Sequence, residues 1–173
     1  MSDQKNAIAS SLLPEFDAEM AGTRRTLQRV PEEAFGWKPH PRSFSLGDLA
    51  SHVANVPGWM SATLDAESFD TAPGGETLSF PAAASSRELL DRFDAGAAAA
   101  RASLEKASDQ AFLAPWSLLA NGKALFTMPR IAVIRSFVLN HLIHHRGQLT
   151  VYLRLREVPV PALYGPSADE SGM

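Results

Sequence analysis

The stretch from Pro129 to about Arg156 constrains the fold more than any other. It is long, it opens with a proline suited to the first turn of a helix, and it has apolar residues on nearly every side. A helix of that kind must be covered on several faces, which predicts the central member of a bundle. At about 100° per residue, Ile134, Val138, His141, His145, Gln148 and Tyr152 share one arc. Leu139 and Ile143 form a second apolar stripe on the far side, between Arg135 and Arg146, to be buried under another helix or a second subunit. Arg146 points away from the histidine arc, and an interface or surface role is expected for it.

Three further helices complete the bundle. The first is expected from Leu12 or Pro14 to Val30, with Phe16, Met20, Thr23, Leu27 and Val30 at helical spacing. Pro31 closes it and leads into a proline-rich connection containing Trp37, which should cap the end of the core, and His40, which should be solvated. The second opens at Ser45 with Asp48 as a capping-box partner and Phe44 positioned to staple onto Leu49. Its arc of Leu49, His52, Val56, Trp59 and Thr63 puts His52 on the buried side, and Pro57-Gly58 should kink or end it. The third runs from Ser85 or Ser86 to about Lys106, through an alanine run that favours helix and close packing.

Between these helices, residues 65–85 read as a long surface connection rich in small residues. Two apolar runs flanking Asn121-Gly122 predict a hairpin over 116–128. The tail from Val158 should wrap the surface without regular structure. The expectation is a single domain over 1–173, all-α, a four-helix bundle with a small β-hairpin inserted before the last helix.

Composition narrows the function classes. The 173 residues carry a net charge of −3, with 45% hydrophobic and 20% charged residues. No basic face recommends nucleic acid as partner. There is no cysteine, so disulfides, thiolate ligands and a nucleophilic Cys are excluded. Met1–Lys5 lack a basic segment followed by an apolar one, and no apolar run suits a membrane span. A cytoplasmic protein acting on a small molecule is expected, with neither membrane nor nucleic acid as partner.

His141 and His145 lie one helical turn apart, the commonest way for a helix to offer half of a metal site. The alternative is two structural histidines, but burying both requires partners for four ring nitrogens on an apolar face. His52, buried on another helix, tips the balance to a metal held by His52, His141 and His145. Leu142 stands where a zincin motif has Glu, so the metalloprotease base is missing. His144 is turned from the arc and is expected to make a hydrogen bond across a helix interface. Three neutral imidazoles leave an open position on a divalent ion, zinc by geometry with nickel as alternative. Such an ion can acidify a bound water or hold a thiol as thiolate. Trp59, Gln148 and Tyr152 are placed to line the pocket.

The segments Trp37-Lys38-Pro39-His40-Pro41, Ser45 to His52, Asn140 to Leu149, Tyr152-Leu153-Arg154 and Tyr164 to Glu170 resemble the DinB/YfiT-like superfamily of metal-dependent enzymes. The resemblance covers most of the chain in order. It implies an up-down-down-up four-helix bundle, commonly a homodimer. The family's metal triad, one His from helix two and H-x-x-x-H from helix four, falls on His52, His141 and His145. It implies transfer chemistry with low-molecular-weight thiols such as bacillithiol or mycothiol, thiol-dependent isomerisation, or metal-dependent hydrolysis. The family's name refers to DNA-damage induction, for which the charge balance here gives no support. The leading expectation is a metal-dependent thiol S-transferase. Its rivals are a hydrolase using metal-bound hydroxide, and a non-catalytic dimer that binds a metal or ligand. No Asp or Glu lies on either ligand arc, which favours thiol chemistry. The tail around Tyr164–Asp169 is a candidate to close the mouth of the site.

Overall fold

The first helix begins earlier than its own sequence suggests, because a distant side chain caps it. In the computed structural model, which describes residues 6–171, α1 spans Ala7–Leu27. Its first amides, on Ala7 and Ile8, donate to the Asp109 carboxylate at 3.3 and 2.9 Å. Pro14 therefore lies inside the helix rather than at its start. Met1–Lys5, read above for a leader, lie outside the described residues.

Helix α2, Leu46–Asn55, starts with the anticipated capping box: the Asp48 amide donates to Ser45 Oγ at 3.1 Å, and the Ser45 amide donates to Asp48 Oδ2 at 3.3 Å. Val56-Pro57 then divides it from α3, Gly58–Leu64. Phe44, placed by its spacing over Leu49, is exposed and stacks on the His52 ring at 6.3 Å between centroids. Helix α4 spans Ser86–Lys106, capped by Ser85, whose hydroxyl accepts from the Glu88 amide. A short α5, Asp109–Leu113, follows and was not anticipated.

The sheet is the main departure from an all-α chain. β2, Pro115–Ala120, and β3, Lys123–Pro129, pair antiparallel around Asn121 and Gly122, which take φ of 50° and 74°. That is the conformation a two-residue type I′ hairpin demands. A third strand, β1, Ser68–Asp70, adds parallel to β2 in the register Ser68↔Ser117 to Asp70↔Leu119, giving the order β1-β2-β3. It arises within the stretch read as a surface connection. Asp70 pins it there: its carboxylate accepts from the Asn121 and Gly122 amides at 3.0 and 2.7 Å. The Ala72 amide, followed by those of Gly122 and Asn121, holds the Asp70 carboxyl below the usual range. The attachment joins residues far apart in sequence, so local propensity carries no trace of it.

The last helix is continuous but not uniform. α6, Arg130–Val133, passes through a π-helical segment, Ile134–Leu139, into α7, Asn140–Leu155. Arg130 is buried, and its guanidinium donates to the carbonyls of Thr63 and Ala66 at 2.8 and 2.9 Å. It thereby closes the C-terminal end of α3 and ties the sheet insertion to the helices.

The core runs between α1, α2, α4 and α7, through Phe16, Leu27, Leu49, Val53, Leu89, Phe93, Leu104, Leu142, Leu149 and Leu153. The second stripe of the last helix is covered within this chain at Leu139, while Ile143 stays half-buried. Leu139 is buried, and α1 lies over it: Arg135 pairs with Glu15 at 2.5 Å and Arg146 with Glu19 at 2.6 Å.

That last pair corrects the interface or surface role expected of Arg146, which is 2% exposed within this chain while Glu19 is 7% exposed. Its Nη1 donates to the Glu19 carbonyl and to Thr23 Oγ1, both at 3.1 Å, and Nη2 donates to the Tyr164 hydroxyl at 2.5 Å. Tyr164 in turn donates to the Glu19 carboxylate at 2.9 Å. Gly22 makes room for the guanidinium, since a Cβ there would stand 3.1 Å from Arg146 Nη1. The tail lacks regular structure, as expected, but it is fastened to this buried pair on the side of α7 away from the histidines. Arg29–Glu170 and Arg154–Asp169 ion pairs hold it further along. Among the described residues, no helix is long and apolar enough to cross a membrane.

Candidate functional site

His52 comes from the last turn of α2, and His141 and His145 from the first two turns of α7. One ring nitrogen from each lies within 4.8 Å of the others, so the group could hold a metal ion. His52 Nε2 and His141 Nε2 are 2.7 Å apart. Nitrogens sharing a zinc at 2.0–2.1 Å sit about 3.3 Å apart in a tetrahedron, so a small outward shift of the rings suffices. The donor set fits a borderline divalent cation: three imidazoles and no carboxylate.

The surroundings keep the rings neutral. Burial, then the neighbouring His145 and His141, push His52 down to about 4. Burial also lowers His141 and His145, aided by His145 and His144 for the former and by His144 for the latter, where a Gln148 hydrogen bond opposes the shift. Neutral imidazole is the form that ligates a metal.

Gln148 does more than line a wall. His145 Nδ1 lies 2.8 Å from Gln148 Oε1, an atom that only accepts. With that acceptor, His145 carries its proton on Nδ1, which leaves Nε2 bare as the ligating atom. Gln148 Nε2 donates onward to His144 Nε2 at 3.1 Å. His144 is thus exposed and bonded along its own helix, not across an interface. His40 is exposed and outside the group; its Nδ1 accepts from the Arg42 amide.

Two spaces of different character meet at the three histidines. On the His145 side lies an open basin of about 540 Å³, lined by Lys38, Arg42, Phe44, Asp48, Gln148 and Tyr152 among others. On the His141 side lies a chamber of about 320 Å³ between α3, the sheet and the π segment. Trp59 belongs to the chamber, with its ring 5.6 Å from His52 and 5.2 Å from His141. Tyr152 belongs to the basin, packed edge-on against Trp37 at 5.7 Å. Lys38 and Arg42 precede α2 and share no helical periodicity with the histidines. Asp48 lies one turn before His52 on α2 and lines the basin with His145, which corrects the expectation that no acidic residue lies on a ligand arc; the sequence marks it only as a helix cap. The chamber was invisible because half its wall is the sheet. The tail closes neither space, since Tyr164 is held by Arg146 and Glu19.

The depressed His52 value predicts an acid sensitivity of the metal-free protein. Unfolded histidine takes its proton near pH 6.5, whereas folded His52 refuses it until about 4. The unfolded state therefore binds more protons in that window, and stability declines as the pH is lowered. It is complete above about 6.5 and lost as the pH falls towards 4. Thermal melts of metal-free protein across this range should show a declining midpoint, with a shallower slope in His52→Gln. Equal slopes would refute the assignment.

Known proteins place this geometry in context. The chain is 26% identical over 157 residues to the uncharacterized protein YrdA of Bacillus subtilis (strain 168), covering 90% of this chain and 86% of that one. Its fold is similar to a crystal structure of a DinB-like protein from Bacillus cereus ATCC 10987. The TM-score is 0.70 at 22% identity, over 90% of this chain and 97% of the other. It is also similar to the DinB-like protein YjoA of Bacillus subtilis, with a TM-score of 0.66 at 16% identity, over 87% and 96%. The sequence model of the DinB family matches residues 1–172. With that match spanning the fold and all three converging histidines, the chain belongs to the DinB family.

Proposed function

We propose that this protein is a metal-dependent enzyme that activates a low-molecular-weight thiol for S-transfer to an electrophile, with His52, His141 and His145 as the metal ligands. The observation that carries the reading is a neutral three-nitrogen group with no carboxylate in it, opening on a basic basin. A zinc or nickel ion bound there would keep its full double charge and hold a thiol as thiolate near neutral pH. Gln148 fixes the His145 tautomer. Lys38 and Arg42, which line the basin, supply positive charge to anionic groups of the thiol. In the transfer, the thiolate sulfur forms a bond to an electrophilic carbon and the leaving group departs with its electron pair. We read α1, α2, α4 and α7 as a four-helix bundle of the up-down-down-up kind. A homodimer belongs to the same proposal, with exposed Val151 and Leu155 on α7 as apolar surface.

A hydrolase is the second reading, and one residue favours it: Asp48 lines the basin beside His145. Its Oδ2, however, already accepts from the Ser45 hydroxyl at 2.7 Å as well as from the Ser45 amide. That engagement suits a helix cap better than a general base. The experiment is to assay zinc- and nickel-loaded protein for conjugation of cysteine, glutathione or coenzyme A to 1-chloro-2,4-dinitrobenzene, alongside hydrolysis of p-nitrophenyl acetate. Metal-dependent thioether formation, with Asp48→Asn retaining it, is the expected result. Ester hydrolysis without thioether formation, lost in Asp48→Asn, would reverse the assignment. Tight metal with neither reaction would leave a binding protein.

A further inference from the structure

The chamber on the His141 side has a chemical selectivity that can be read from its walls. Trp59, Ala62 and Thr63 of α3 form one side, Phe69, Trp116, Leu118 and Phe126 of the sheet the opposite side, and Val133, Phe137 and Val138 the back. Its side chains offer few polar atoms besides those of His141, and three of them already have partners inside the protein. Thr63 Oγ1 donates to the Trp59 carbonyl at 2.8 Å, and Thr71 Oγ1 to the Leu119 carbonyl at 3.0 Å. Trp116 Nε1 donates to the Ala62 carbonyl at 3.2 Å. A charged group held among these walls, away from the His141 end, would lose its water and gain little in return, a cost of several kcal/mol. The volume of about 320 Å³ is roughly twice the ~150 Å³ cavity that accepts one benzene ring. Phe80 and Phe137 line the chamber while 65% and 37% exposed, which puts its mouth at these two rings.

We infer that this chamber is the binding site for an uncharged apolar group of the substrate, about the size of two fused aromatic rings, entering past Phe80 and Phe137 and ending at His141. The chamber and the basin reach the three histidines from different sides, so an apolar electrophile and a polar cosubstrate do not compete for the same space. The inference rests on the proposed function only for the reaction carried out at the His141 end. Binding in the chamber is a property of the protein with or without turnover.

The test uses N-phenyl-1-naphthylamine, an uncharged fluorophore whose naphthyl group matches the chamber and whose phenyl ring extends towards the open mouth, titrated into the full-length protein, both metal-free and zinc-loaded. One probe per chain should bind with a blue-shifted emission. Energy transfer from the tryptophans is expected, since Trp59 and Trp116 line the walls. In the metal-free protein, naphthalene should compete with the probe, whereas 2-naphthoate should compete at least tenfold more weakly. Phe137→Asp and Phe80→Asp, at exposed mouth positions, should each weaken the probe tenfold or more while the melting midpoint and zinc stoichiometry stay unchanged. Lys38→Ala, in the basin, should leave probe affinity unaltered. Equal competition by 2-naphthoate, or full probe affinity in both mouth variants, would overturn the inference. Absence of thiol transfer with probe binding intact would overturn the function proposed above and leave the chamber assignment standing.

Discussion

His52→Ala, His141→Ala and His145→Ala should each lower zinc affinity by more than a hundredfold, as read by competition with a chromophoric chelator, while the wild-type protein binds one ion per chain. A ligand cannot be replaced by water without losing a metal–nitrogen bond and part of the prearranged geometry. Gln148→Ala should cost less, about 10–100-fold, because it removes only the group that fixes the His145 tautomer. His40→Ala should change nothing, since that ring lies outside the group. A ligand that binds only the folded state also stabilises it. At a hundredfold excess over Kd, zinc should contribute about 2.7 kcal/mol, or roughly 5–10 °C in the melting midpoint for a chain of this length. Unchanged metal content in all three alanine variants would refute the site.

The second large effect concerns stability and lies on the opposite face of the same helix. Arg146→Ala should destabilise the fold by about 3–5 kcal/mol, the range for removing one partner of a buried ion pair. In the melting midpoint that is roughly 10 °C. Four polar groups lose one of their partners at once: the Glu19 carboxylate and carbonyl, Thr23 Oγ1 and the Tyr164 hydroxyl. Only the Tyr164–Glu19 and Thr23–Glu19 hydrogen bonds remain, with no cation beside the buried carboxylate. Tyr164→Phe should cost less, about 1–2 kcal/mol, because the Arg146–Glu19 contact survives it. The apolar double replacement Glu19→Leu/Arg146→Met should recover much of the loss, since it leaves no uncompensated buried charge. Zinc affinity, measured well below the midpoint, should be nearly unchanged throughout. A midpoint shift below about 2 °C in Arg146→Ala would show that this cluster does not anchor α1 and the tail to α7.

The two predictions separate what local sequence encodes from what the assembled chain decides. The arc holding His141 and His145, the buried side of α2 holding His52, the Ser45–Asp48 cap and the Asn121-Gly122 turn all follow from residues within a few positions of each other. Helical phase and turn chemistry operate at that range, and they suffice to single out three histidines before any contact is known. The partner of Arg146 is not accessible in the same way. An arginine beside a histidine on a helix reads as surface until another helix brings a glutamate to it, and Glu19 lies on α1 with no local mark of its role. The early start of α1 depends likewise on Asp109, and β1 on the register with β2 and the amides that Asp70 collects. The π segment shifts the phase of the last helix just before His141, and so helps set Val138 and Phe137 into the chamber wall. Sequence alone determined which residues face inwards together, because periodicity is a property of the backbone. Tertiary structure alone decided which charges are buried, where the sheet closes and what lies on either side of the histidines, because those depend on neighbours brought from far along the chain.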